Sequence, residues 1–192
     1  MKVSREQVAQ NRKRIIGAAG KLFREKGFDG IGVADIMKAA GLTHGGFYGH
    51  FASKEDLAAQ ACAGTSTVDP WIELSARTPK NPLGAIVTSY LSPRHRDNPG
   101  TGCLFAALGP EVSRQRNTIR RAFTAGLRGK LDVLATIVTG QTKAAKRKRA
   151  LATMSGLVGA LVLARAVDDP ALSDEILSAA AAIFSAKSPD AG

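Results

Sequence analysis

Three glycines fall within the eight residues His44–Phe51, HGGFYGHF, between two segments that read as helices. Each glycine inside a helix costs about 1 kcal/mol against alanine. A short helix carrying Gly45, Gly46 and Gly49 is therefore poorly explained by stability, and better explained if its backbone must come very close to a partner. Gly41 supplies the sharp turn ahead of it, where a left-handed backbone costs glycine little. Thr43 stands at the expected N-cap. Around the octapeptide, Thr43, His44, Tyr48, His50 and Lys54 can donate hydrogen bonds to phosphates or base edges. The pattern predicts a helix, a tight turn and a recognition helix made for duplex DNA.

The rest of the chain reads as all-α, because alternating strand patterns are nearly absent and alanine is abundant. The first helix is expected from about Arg5 to Lys26. Ser4 and Gln7 have capping-box spacing, Val8, Ile15, Ala19, Leu22 and Phe23 share a face, and Gly27 ends it. A second covers about Val33–Ala40, and Ser53 with Asp56 starts one that runs to about Gly64. Further helices are expected over Pro82–Leu91, Gly102–Arg116 (kinked at Gly109-Pro110), Thr118–Thr139, Thr142–Val167 and from Ser173 to Phe184, about nine in all. Gly64–Pro82 is rich in Thr, Ser and Pro, which puts a domain boundary near Thr65–Asp69: residues 1–64, then 65–192. Pro93–Gly102 reads as a basic loop, Pro170 as a helix stop, and Ala186–Gly192 as a frayed tail.

Charge narrows the partner. The chain has 192 residues, a net charge of +11 and a pI near 10.1, favouring nucleic acid first and a membrane surface second. No apolar leader follows Met1, and the apolar run Leu151–Ala164 reads as too short to span a bilayer. Cys62 and Cys103 make neither a disulfide framework nor a metal cluster. The expectation is a reduced, soluble, cytoplasmic protein with no cofactor. Residues 1–56 hold ten lysines and arginines against six acids. Lys2, Arg5, Arg12, Lys13 and Arg14 crowd the start, where they would lie along phosphates. Lys54 falls in the first turn of a helix, where its charge opposes the dipole and an external phosphate would relieve the conflict. Phe47 and Phe51 are spaced i, i+4 for the core; Tyr48 and His50 lie off that stripe. His44 and His50 lack the carboxylate or cysteine partners that a metal site needs.

The stretch GFDGIGVADIMKAAGLTHGGFYGHFASKEDL resembles the DNA-binding region of the TetR family of bacterial transcriptional repressors. The glycine turn, Thr-x-Gly-x-Phe-Tyr, His-Phe and Ser-Lys-Glu occur in register, over about a quarter of the chain. Gly102-Cys103-Leu104 and ARAVDDPALSDEIL also look like one branch of that family. The resemblance implies an all-α homodimer, a helix-turn-helix domain followed by a regulatory domain, and a palindromic operator. It implies that Thr43 caps the recognition helix and touches a phosphate, that His44, Gly45 and Gly46 face the groove, and that Tyr48, His50 and Lys54 hold the DNA backbone. Arg5 and Val33 join that surface. Gly32 stands where the family usually has threonine or serine, so a hydroxyl contact is lost and the backbone N–H must serve.

In the second half, Ala152, Gly156, Ala160 and Ala164 recur at intervals of four, letting another helix approach closely. Ala179, Ala182 and Ile183 offer a similar surface. The resemblance makes these the dimer interface; internal packing is the alternative. Candidate lining for an effector pocket is Trp71, Tyr90, Cys103, Phe105, Leu108, Phe123, Met154 and Leu161. Cys103 stands at an expected helix start near Arg94, His95 and Arg96, a setting that makes a thiol reactive. Two readings compete with a ligand-responsive repressor. One is a redox or electrophile sensor acting through Cys103. The other is an enzyme using Cys103, His95 and Asp97, which lacks an evident oxyanion site. The cluster Lys143–Arg149 opens a helix that is apolar on more than one face, which suits a core better than a membrane surface.

Overall fold

The structure, a computed structural model, describes residues 4–63 and 69–185. Lys2, the expected boundary at 64/65 and the tail from Ala186 lie outside the described residues. Among those described there are ten α-helices and two 3₁₀ helices and no strand, as the periodicity predicts. The α-helices are α1 (Arg5–Lys26), α2 (Val33–Ala39), α3 (Lys54–Ala63), α4 (Pro70–Arg77), α5 (Pro82–Tyr90), α6 (Pro93–Asp97), α7 (Leu104–Val112), α8 (Asn117–Ile137), α9 (Lys143–Ala166) and α10 (Pro170–Ser185). The 3₁₀ helices are His44–Gly49 and Pro99–Thr101.

Prolines account for most departures from the expected helices. Pro70, Pro82, Pro93 and Pro170 each open a helix. Proline suits the first helical position, where its missing N–H would have no intrahelical partner. Each follows a capping side chain. Asp69 accepts from the Trp71 N–H at 2.8 Å, Asn81 from Gly84 at 3.0 Å, Ser92 from His95 at 3.2 Å, and Asp169 from Ala171 at 2.9 Å. So α4 and α6 occupy stretches read as linker and loop, and α10 starts three residues before Ser173. That serine is buried, and its hydroxyl donates to the Ala164 carbonyl at 2.7 Å. Pro110 lies within α7, which ends at Val112 rather than Arg116.

The described residues pack as two compact units. One gathers residues 4–63 with 99–126; the other gathers 69–98 with 127–185. In the first, Ile15, Phe23, Ile36, Met37, Phe47 and Leu57 are fully buried, and Leu108, Val112 and Ile119 join the same core. Burying one such side chain contributes about 1.5–3 kcal/mol. The Phe28 N–H, just past α1, donates to the Glu111 carboxylate at 2.9 Å. Thus α7 and the start of α8 complete the core beneath α1–α3.

In the second unit, Ala150, Met154, Leu157, Leu161 and Ala164 bury one side of α9, which packs along α10. By length and composition α9 is apolar enough to cross a membrane, where the sequence reading took its apolar run as too short. The run lies within a 24-residue helix capped by Thr142, whose hydroxyl accepts from Ala145 at 3.1 Å. A side chain at Gly156 would meet the Phe184 ring of α10. Gly156 thus lets the Phe184 ring close on α9, and Ala160 and Ala164 are buried beside it.

Candidate nucleic-acid interface

Gly41 has φ +67, and the Leu42 N–H donates to the Met37 carbonyl at 2.9 Å, so the chain turns back tightly after α2. The recognition segment His44–Gly49 is a 3₁₀ helix, tighter than an α-helix. Phe47 is fully buried and Phe51 nearly so, with ring centroids 5.7 Å apart, and these two fasten the segment to the core. Tyr48 is 71% exposed and meets the edge of Phe47 at 5.2 Å. Thr43, His44, Gly45, Gly46 and Gly49 are all exposed. A methyl group added at Gly45 or Gly49 would meet nothing within 4 Å, and one at Gly46 would only touch Met37 at 3.7 Å and Thr43 at 3.8 Å. The protein's own packing therefore does not require glycine at these three positions.

Thr43 departs from its expected role. Its backbone is extended, as at an N-cap, but its side chain makes no capping hydrogen bond. Arg12 departs too. It was expected on phosphates; instead its guanidinium donates to the His50 carbonyl and, at 2.7 Å, to Gln60, and lies 4.4 Å from the Phe51 ring centroid. It locks α1 to the residue after the 3₁₀ helix and to α3, a role that charge counting does not reveal. His50 is half-buried with its Nδ1 buried and unpartnered, so an outward contact runs through Nε2. Arg5, Lys13 and Arg14 remain exposed.

Two helix N-termini flank this surface. At α3, the Ser53 hydroxyl accepts from the Asp56 N–H at 3.1 Å and the Asp56 carboxylate accepts from Ala52 at 3.2 Å, as the spacing predicts. Lys54, half-buried, follows that cap. At α2, the Gly32 N–H donates to Asp35 at 3.3 Å, so the amide expected to replace the missing hydroxyl is engaged. Val33, half-buried, opens that helix.

Residues 15–61 match the family model for bacterial regulatory proteins of the tetR family. That segment, about a quarter of the chain, is similar to the DNA-binding region of the tetR family. The chain is 28% identical over 85 residues to the HTH-type transcriptional regulator AcrR of Shigella flexneri, a match covering 43% of this chain and 40% of that protein. It is 40% identical over 53 residues to the uncharacterized HTH-type transcriptional regulator YerO of Bacillus subtilis (strain 168), covering 28% of this chain and 18% of that one. The matched segments thus span well under half of these relatives. The fold likeness extends further. The reduced form of E. coli NemR superposes with a TM-score of 0.74 at 22% identity, covering 91% of this chain and 95% of that one. A TetR-family regulator from Agrobacterium tumefaciens gives 0.70 at 23% identity, covering 93% and 100%. At those identities the likeness shows the fold: an N-terminal helix-turn-helix followed by a helical domain.

The eight candidate effector residues divide between the two units. Cys103, Phe105, Leu108 and Phe123 belong to the first; Trp71, Tyr90, Met154 and Leu161 belong to the second. Leu108, Met154 and Leu161 are core side chains. Phe105 and Phe123 meet edge to face at 5.0 Å, and Trp71 and Tyr90 do so at 5.9 Å. Lys130 lies 4.4 Å from the Trp71 ring centroid and bonds both Asp69 carboxylate oxygens at 2.7 Å. A cleft of about 330 Å³ in the second unit, between Arg96, Arg165, Asp168 and Ser173, includes none of the eight.

Cys103 is half-buried at the N-cap of α7. Burial pushes the other thiol, Cys62, up to about 11, against the pull of Arg24, so Cys62 is a poor nucleophile at neutral pH. Burial lowers the pKa of Arg24, while Cys103, Glu25 and Cys62 act to raise it. The other members of the enzyme reading are held by their own neighbours. His95 Nδ1 lies 2.6 Å from the Tyr90 carbonyl, and its pKa is lowered by burial first and by Arg165 besides. Asp97 accepts from Arg96 at 2.7 Å.

Proposed function

We propose that the chain is a homodimeric, ligand-responsive regulator, acting as a repressor, whose 3₁₀ recognition helix enters the major groove of a palindromic operator. One observation carries this reading: an exposed 3₁₀ helix holds three glycines that the chain's own packing does not require, which lets a partner come close to its backbone. Residues 1–64 act on DNA and 65–192 carry regulation and dimerisation. His44, Gly45 and Gly46 face the bases. Thr43, Tyr48, His50, Lys54, Arg5 and the start of α2 at Val33 hold the backbone. The names of AcrR and YerO, both HTH-type transcriptional regulators, support it.

A palindrome needs two copies set about 34 Å apart. The exposed apolar side chains of the last two helices suit that pairing: Ala152 and Leu163 on α9, and Ala179, Ala182 and Ile183 on α10, with Leu163 57% and Ile183 71% exposed. A small hydrophobic or electrophilic effector then shifts the dimer between arrangements that bind the operator differently.

Selection of bound fragments from random duplex DNA tests the reading, because it yields half-site and spacing together. Tyr48→Phe and Lys54→Ala should each weaken every selected site alike, by ~1–2 kcal/mol, as backbone contacts do. A changed base preference would reassign both residues to base recognition.

A second reading rests on Cys103, placed at a helix start where the other thiol is buried and protonated. NemR, whose crystal structure is of a reduced form, lends it support. On this reading an electrophile adds to the Cys103 sulfur and the DNA is released. Cys103→Ser should then abolish the response to a soft electrophile while leaving operator affinity within about twofold, a change under 0.5 kcal/mol. A Cys103→Ser chain that still responds fully ends the second reading.

A further inference from the structure

Between Glu111 and Asp132 the chain has no acidic residue, and Arg114, Arg116, Arg120 and Arg121 fall within eight positions. We propose that these arginines extend the DNA-contacting surface beyond α3 and hold phosphates of the duplex flanking each half-site. The inference rests on the function proposed above.

Packing places the cluster beside the recognition domain. Ile119, 3% exposed, anchors the start of α8 in the core shared with α1–α3. Gln115, Arg116 and Ile119 line one cleft of about 180 Å³ with Lys54, Glu55 and Asp29. Arg116 Nη1 lies 3.6 Å from Glu55 Oε2, so this member of the run reaches the residue next to Lys54. A strand of DNA held by Lys54 has Arg116 as its next cation.

The charges are unbalanced without a partner. Asp29 and Glu55 neutralise the cleft itself, which is therefore no anion pocket. The excess lies on the outer arginines. Arg114, Arg120 and Arg121 are exposed and make no ion pair among the described residues. Arg116 meets Glu55 with 85% of its own side chain exposed, a geometry worth little in water. Arg116 precedes α8 and Arg120 lies one turn in, so like charges crowd one helix start, and these cations oppose the dipole with no acid in the first turn to offset them. A polyanion relieves both conflicts, and duplex DNA already expected at Lys54 is the polyanion nearest to hand.

The test uses the full chain and a mixed-sequence duplex of about 40 base pairs, titrated by fluorescence anisotropy over a range of salt. Two double variants remove equal charge: Arg114→Gln with Arg120→Gln, and Lys143→Gln with Lys148→Gln at the exposed start of α9. Each phosphate contact contributes about 0.9 to the slope of log affinity against log salt. The arginine variant should lower that slope by close to 2 per protomer and weaken low-salt binding about tenfold or more, while the lysine variant changes affinity less than about threefold. Arg114→Lys with Arg120→Lys should restore the slope. Equal behaviour of the two neutral variants, or loss on anionic lipid vesicles with duplex binding intact, overturns the inference and leaves the DNA reading standing. A parent chain that ignores the duplex at low salt overturns both.

Discussion

Gly45→Ala, and separately Gly49→Ala, should leave the free protein as stable as its parent and cut operator affinity by about 30- to 150-fold, or roughly 2–3 kcal/mol. In the free chain the added methyl meets nothing within 4 Å. Neither glycine has a positive φ, so no backbone strain follows, and alanine restricts the unfolded chain more than glycine does. On DNA the balance reverses. If the backbone of the 3₁₀ helix lies against base edges, the methyl occupies space the duplex needs, and neither the stacked bases nor a helix pinned by Phe47 and Phe51 yields easily. Thermal melting and anisotropy titration on the same samples give the two halves of the result. A Gly45→Ala chain that binds like its parent would show that the backbone does not approach the duplex closely. Tyr48→Phe is the milder change, because it removes one hydroxyl and adds no bulk.

The recognition region was legible because its signals are local. Ser4, Gly27, Gly41 and the Ser53–Asp56 pair each act through backbone groups within about four residues, a range a sequence displays directly. The Phe47 and Phe51 spacing likewise announced the buried side of the turn. Helix starts were missed where the residue before a proline went unweighed: Asp69, Ser92 and Asp169 each make the following proline the first residue of a helix. Long-range packing was harder still. Leu108 reads as pocket lining, and no local pattern places it with Val112 and Ile119 in the core beneath the 3₁₀ helix. Nor does charge show direction, so Arg12 was assigned outward when Gln60, the His50 carbonyl and the Phe51 ring together draw it inward. The small-residue stripe on α9 carries the same ambiguity, because Gly156 admits the aromatic ring of Phe184 from its own chain while small residues suit a second copy equally.

Gly27→Ala should be among the most destabilising single substitutions in the chain, by about 3–5 kcal/mol. Gly27 closes α1 at φ 75 and ψ 172, a region open almost only to glycine, where another residue costs about 1–3 kcal/mol. A methyl there would also stand 2.5 Å from Glu111 Oε1. The carboxylate cannot simply withdraw, because it accepts the Phe28 N–H, and a buried amide left unpaired costs a further 1–3 kcal/mol or so. Against a total stability of about 5–15 kcal/mol, the melting temperature should fall by roughly 10 °C. Glu111→Gln keeps an oxygen for Phe28 and should cost under about 1 kcal/mol. Repeating Gly27→Ala in a Glu111→Ala background separates the two causes, since the steric part vanishes there and the backbone part stays. An unchanged penalty in that background would place the whole cost in the backbone. Any shortfall measures how firmly α7 grips the turn that leads into α2, and so how directly a residue more than forty positions beyond α3 holds the DNA-facing helices in place.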